Sequence, residues 1–157
     1  MIHKILSSFM MMMYITTVSA GDSSTAADTE AACLKTAHAY FIGVDNNDGQ
    51  AVAELFTEDA TLQLQQAIKG RQAIQKRFNR PTPNTKLFHH LTTHQIRQTD
   101  EGHATGSIYL LLNIATTPED SDKPQTRLLS GVYHDEYVIT DGVCRIKNRR
   151  LEIKMVN

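Results

Sequence analysis

One stretch constrains the fold more than any other: Leu128 to Ile153, LLSGVYHDEYVITDGVCRIKNRRLEI. Alternating apolar residues on both sides of Thr140-Asp141-Gly142 predict two long antiparallel strands joined by a tight turn. Both Asp and Gly accept the positive φ that such a turn requires. In the first strand Leu129, Gly131, Tyr133 and Tyr137 share one face, and Leu128, Val132, His134 and Val138 share the other. In the second strand Cys144 and Ile146 fall on one face, while Leu151 and Ile153 fall on the opposite one. Side chains alternate with period two, so this phase change needs one extra residue, a β-bulge expected near Asn148 to Arg150. A bulge bends the strand and curls the sheet, and a curled sheet needs other elements to fill its hollow side.

The earlier part of the chain supplies them. Ala26 to Val44 is alanine-rich, and Leu34, His38, Phe41, Ile42 and Asp45 recur at helical spacing. Asn46-Asn47-Asp48-Gly49 breaks that helix, and Asp48 is suited to cap a second one over Gln50–Phe56. A short strand is expected at Ala60–Leu64 and a third helix at Gln72–Phe78, buried through Ile74 and Phe78. Strands follow at Leu87–Gln98 and Ala104–Ile114, with a charged loop, TTPEDSDKPQ, over Thr116 to Gln125. Helices first and an antiparallel meander afterwards give the α+β class, with helices on one face of the sheet. Such packing leaves a cone with an apolar cavity at its wide end.

With 157 residues the chain has the length of one domain. Lys4, the apolar run Ile5 to Val18 and the small residues of Val18-Ser19-Ala20 form a signal-peptide pattern, with cleavage expected near Ala20. The domain is then 21–157, exported to the periplasm or medium and free of the membrane after cleavage. An uncleaved anchor is the alternative, though the run is short of the roughly 20 residues a span needs. A net charge of −1 and the lack of a basic stripe argue against nucleic acid. The two cysteines, Cys33 and Cys144, are a disulfide candidate if the chain is exported. Two buried free thiols are the other reading, and a thiol titration separates them. His89, His90, His94 and His103 lie close together, but no ligand spacing is complete, so no metal is expected.

The order of these features resembles the SnoaL-like branch of the NTF2-like superfamily. The matching residues are Asp45-x-x-Asp48, Ala53-Glu54-Leu55-Phe56-Thr57-Glu58-Asp59-Ala60 and Lys69-Gly70-Arg71. They continue with His89-His90-Leu91-Thr92, Gly131-x-Tyr133 and Asp141-Gly142-x-Cys144-Arg145-Ile146-x-x-Arg149. The resemblance implies a cone of three N-terminal helices packed on a strongly curved mixed, mainly antiparallel β-sheet. It also implies that Asp45 and His89 point into the cavity. As a pair they suit proton transfer without a cofactor, in a dehydratase, isomerase or cyclase-like reaction on a small apolar or aromatic carbonyl compound. Tyr40, Phe41, Leu64, Tyr109, Gly131 and Tyr133 are the expected substrate-binding residues. Arg145, Arg149 and Arg150 read as a solvated or dimer-facing row. Compared with scytalone dehydratase, the sequence keeps Asp45 and His89, but Val44 and Leu64 stand where that enzyme has tyrosines and Ile114 near its second histidine. Ketosteroid isomerases carry an aspartate where this chain has Gln63 and Gln65. The alternative is therefore a protein of the same fold that binds a small apolar ligand without chemistry, or dimerises through the exposed face of its sheet.

Overall fold

The computed structural model describes residues 25–80 and 82–157. The expected signal segment lies outside the described residues. Helix α1 runs Ala26–Asp45, α2 Gly49–Glu54 and α3 Arg71–Phe78; strands are β1 Phe56–Gln63, β2 Ala67–Lys69, β3 Thr85–Asp100, β4 His103–Thr116, β5 Gln125–Thr140 and β6 Val143–Val156. All six strands form one sheet in the order β2-β1-β6-β5-β4-β3. Only the β1–β6 pairing is parallel. The fold is the α+β cone: helices on one side of a curved, mainly antiparallel sheet.

Local chemistry sets the element ends. Thr25 caps α1 in a capping box with Asp28. Asn46 closes the helix, and Asn47 turns out of it with φ 55°. Asp48 then caps α2 by accepting from the Ala51 N–H at 2.9 Å. The β5–β6 hairpin turns on Asp141 at φ 51° and Gly142 at φ 73°, the doubly positive turn that the Asp-Gly pair predicts.

Three expectations need correction. Phe56 is not the end of α2 but the first residue of β1, fully buried, and β1 begins four residues before the expected strand. A short strand β2 pairs with β1 where none is expected; three residues are too few for any periodicity to register. The buried face of α1 is also rotated from the expected one. It includes Thr29, Cys33, Thr36, Ala37, Tyr40, Phe41 and Val44, whereas His38 is exposed and Ile42 is 63% exposed. Small Thr36 and Ala37 let the helix approach the sheet, and their modest hydrophobicity hides them from a pattern that looks for large apolar residues.

The bulge in β6 falls at Lys147, one residue before the expected span. Tyr137 pairs with Ile146 but Glu136 pairs with Asn148, which leaves Lys147 unpaired in the ladder. A second shift, between Ser130 and Gly131, leaves out Lys154. Lys147 carries the larger consequence. Before it the ladder pairs Val138 with Arg145 and Tyr137 with Ile146, so an unbroken register would set Arg149 opposite His134 on the outer face. The extra residue moves Arg149 opposite Asp135, on the inner face.

Cys33 of α1 and Cys144 of β6 form a disulfide with Cα atoms 5.1 Å apart. Beside it the Thr36 hydroxyl donates to the Cys144 carbonyl at 2.8 Å. The bridge closes a loop of sequence separation 111, which in the chain-entropy model stabilises by about 5 kcal/mol. Cys33→Ser/Cys144→Ser should lower the urea midpoint accordingly. Because both cysteines are buried, the native protein should resist mild reductant until it opens. A midpoint unchanged in the double variant would contradict this.

Candidate active site

Asp45 ends α1 on the side facing the sheet. The C-terminal end of a helix disfavours an anion, and the last turn of α1 has no basic residue. Compensation comes from β3. The His89 main-chain N–H donates to Asp45 Oδ2 at 2.8 Å, and the His89 ring Nδ1 meets Oδ1 at 2.5 Å. A carboxylate only accepts, so Nδ1 carries a proton, and in the neutral ring Nε2 keeps its lone pair. Nε2 has no partner among the described residues. The carboxylate thus holds both the backbone and the ring of one residue, which fixes the imidazole in place and tautomer.

Phe41 backs the ring from the helix side, stacked at 5.1 Å between centroids with planes 11° apart. The His89 side chain is 3% exposed and that of Asp45 17%. Burial disfavours the imidazolium and lowers the His89 pKa; the Asp45 carboxylate opposes this without cancelling it. His90, next in the strand, points the other way and contacts Asn113 on the outer face.

His89 stands on the wall of a cavity of about 520 Å³. The wall is largely apolar: Val44, Leu64, Ile68, Phe78, Leu87, Leu112, Ile114, Leu129, Leu151 and Ile153. Tyr40 and Tyr133 add two phenols, Gln65 and Gln66 two amides, and Arg77 a cation.

Below the two phenols lies a residue that sequence reading misplaces. Arg149 is 1% exposed, not part of a solvated row. Its Nε and Nη2 donate to the two Asp135 oxygens at 2.8 and 2.6 Å. Tyr137 donates to Asp135 Oδ2 at 2.5 Å. The guanidinium carbon sits 4.2 Å from the Tyr40 ring centroid and 4.6 Å from that of Tyr133, close enough for cation–π attraction. Burial works against the charge, but Asp135 holds the Arg149 pKa above the ordinary arginine range. Burial also pushes the Tyr40 phenol well above its usual range and that of Tyr133 upward, while the Arg149 charge pulls both down. The sequence does carry a signal for this pair: Asp135 shares the parity of Tyr133 and Tyr137, and an acid on an apolar face demands a cation.

The other expected residues divide. Tyr40, Leu64 and Tyr133 line the cavity with His89. Phe41 lies behind His89 rather than on the wall. Gly131 is buried outside the lining; a Cβ there would stand 2.9 Å from the Glu152 carbonyl oxygen and 3.2 Å from Leu151 Cδ1. Its role is to let β6 and Leu151 come close. Tyr109 is a correction: it is 45% exposed and sits between Ile108 and Leu110, which face the core, so strand alternation turns it to the outer face. Among the described residues no three His, Cys, Asp or Glu side chains converge as a metal site, and no helix is long and apolar enough to cross a membrane.

A sequence model of the SnoaL-like domain matches residues 25–150. The chain belongs to the SnoaL-like family. Solved structures agree on the fold. A protein of Novosphingobium aromaticivorans provisionally described as a scytalone dehydratase is 24% identical, with TM-score 0.70 over 82% of this chain and 86% of that one. A hexachlorocyclohexane dehydrochlorinase, LinA type 2, is 20% identical, with TM-score 0.72 over 82% and 87%. A Mycobacterium tuberculosis protein of unknown function, solved as a point variant, is 24% identical, with TM-score 0.65 over 80% and 76%. No curated protein sequence matches this SnoaL-like domain.

Proposed function

We propose that this SnoaL-like domain is a cofactor-independent lyase or isomerase acting on a small, largely apolar carbonyl compound, with Asp45 and His89 as its working pair. The observation that carries this reading is the imidazole itself: clamped through Nδ1, without a partner at Nε2 among the described residues, and placed on the wall of an apolar cavity. In the proposed reaction Nε2 takes a proton from the carbon next to the substrate carbonyl. The C–H electron pair moves into the new C–C double bond, and the carbonyl π pair moves to oxygen. Tyr133, with Tyr40 beside it, donates to that oxygen as its charge grows. Collapse of the enolate expels a group from the β-carbon, with His89 returning the proton to it, or takes the proton back at another carbon. The first outcome is elimination and the second isomerisation. Two of the structural neighbours carry the names of eliminating enzymes, a dehydratase and a dehydrochlorinase, which favours the first.

Export of the chain after removal of residues 1–20, and pairing of two copies through the exposed sheet face, belong to the same proposal. Cell fractionation and sizing of the purified protein test them.

Small molecules carried through native purification, identified by mass spectrometry, give the substrate class directly. An analogue converted by the wild type but not by Asp45→Asn or His89→Ala supports catalysis. Equal conversion by all three eliminates the proposed roles, and binding without any conversion supports the non-catalytic reading. The acid limb of kcat/KM gives a further check. The folded-state pKa of His89 lies below its ordinary value of about 6.5. Activity should therefore persist below pH 6.5 and fall only as pH drops through the lowered value. Any stability linked to His89 is complete above about pH 6.5 and is lost as pH falls from there through the folded pKa, because the unfolded chain takes up the proton first. A limb at or above pH 6.5 would contradict the burial argument.

A further inference from the structure

We propose that Arg77 forms an anion subsite in the cavity, so that the substrate is an apolar molecule with a carboxylate at one end. This rests on the cavity being the substrate site but not on the chemistry assigned to His89.

Three observations support it. Among the residues lining the cavity, Arg77 is the one with a permanent charge; the rest are apolar residues, phenols, two glutamines and His89. Its guanidinium makes no ion pair and no hydrogen bond among the described residues, in contrast to Arg71 and Arg149, which are both engaged. Its guanidinium also lies beside the wall. Arg77 lies in the last turn of α3, its guanidinium carbon 5.7 Å from the Phe78 ring centroid, and Phe78 is itself part of the wall.

Arg77 also borders the small neighbouring cavity where Asp45, Arg80 and Leu87 are found. It therefore stands at the end of the cavity where the Asp45–His89 pair sits. Arg77 is exposed, with its guanidinium at the rim of the apolar wall, so a carboxylate placed there meets an available but partly screened cation. A planar guanidinium presents paired donors that match a carboxylate. A substrate held by its acid at Arg77 and by its carbonyl oxygen at the phenols has a fixed orientation toward His89.

Binding of 2-naphthoate and of its neutral isostere 2-naphthamide, measured by calorimetry on the full folded domain, tests this without any turnover. The wild type should prefer the carboxylate by about three- to tenfold, and the preference should shrink in 0.5 M salt. Arg77→Gln, at an exposed helix position, should erase the preference and leave naphthamide affinity unchanged. Arg77→Lys should retain part of it. The double variant Asp45→Asn/His89→Ala should keep the preference, which separates this subsite from the proposed chemistry. Equal binding of the two probes by the wild type, or a preference that survives Arg77→Gln, overturns the proposal. So does a preference abolished by Arg80→Gln instead.

Discussion

His89→Ala should reduce turnover of the natural substrate by roughly 10²- to 10⁴-fold, the range removed when a positioned general base is lost. Binding of an apolar ligand in the cavity should change little. The imidazole is one of sixteen lining residues, and its loss leaves the apolar wall intact. Asp45→Asn is the more informative partner. The amide oxygen can still accept one N–H from His89, but the amide nitrogen must then face the other, a donor against a donor. The ring is freed to rotate or change tautomer, and Nε2 is no longer held as the base. A loss of about 10²-fold or more in kcat with little change in KM is expected. A loss in KM alone would mean that Asp45 shapes the pocket and does not set the state of His89.

The second large effect concerns stability. Arg149→Met leaves Asp135 as an uncompensated charge with both oxygens buried, and Asp135→Ala leaves the guanidinium unpaired. Each should cost about 3–5 kcal/mol in urea unfolding, because breaking a buried pair strands the surviving ion. Asp135→Leu/Arg149→Met should cost much less than the sum of the two single changes, since no charge is then left behind. Additive losses would show that the two side chains do not act as a pair. The Arg149 single variant should also weaken turnover through Tyr40 and Tyr133, whose rings rest against the guanidinium.

The hairpin and the helix break at Asn46-Asn47 are legible in the sequence because each rests on local chemistry, and the family is legible from the order of its motifs along the chain. Asp-Gly specifies its own turn, and Asp48 caps the helix that immediately follows it. The nearness of Asp45 to His89 comes from the resemblance. Nothing in the spacing of residues 44 apart could give a 2.5 Å contact. Arg149 shows the limit most clearly. Its face depends on which residue of β6 is skipped, and Lys147, Asn148, Arg149 and Arg150 are all polar, so alternation cannot locate the extra residue among them. Shifting the bulge past Arg149 would keep it outside, as the reading of a solvated row assumes. Tyr109 is misplaced for a related reason. Ile108 to Leu112 is continuously apolar, so hydrophobicity does not say which parity faces the core; the register with Tyr133 and His89 does. The cavity wall draws on α1, α3, β3, β4, β5 and β6 as well as residues 64–68, and contacts between segments so far apart leave no trace in a linear pattern.

The state of the His89 ring at neutral pH is the point on which the functional account turns, and it can be read without a substrate. Nitrogen NMR of the ¹⁵N-histidine-labelled domain at pH 7 should show His89 neutral, with the proton on Nδ1 and an unprotonated Nε2. An imidazolium at that pH, or a neutral ring carrying its proton on Nε2, would contradict the account, because neither leaves a base facing the cavity.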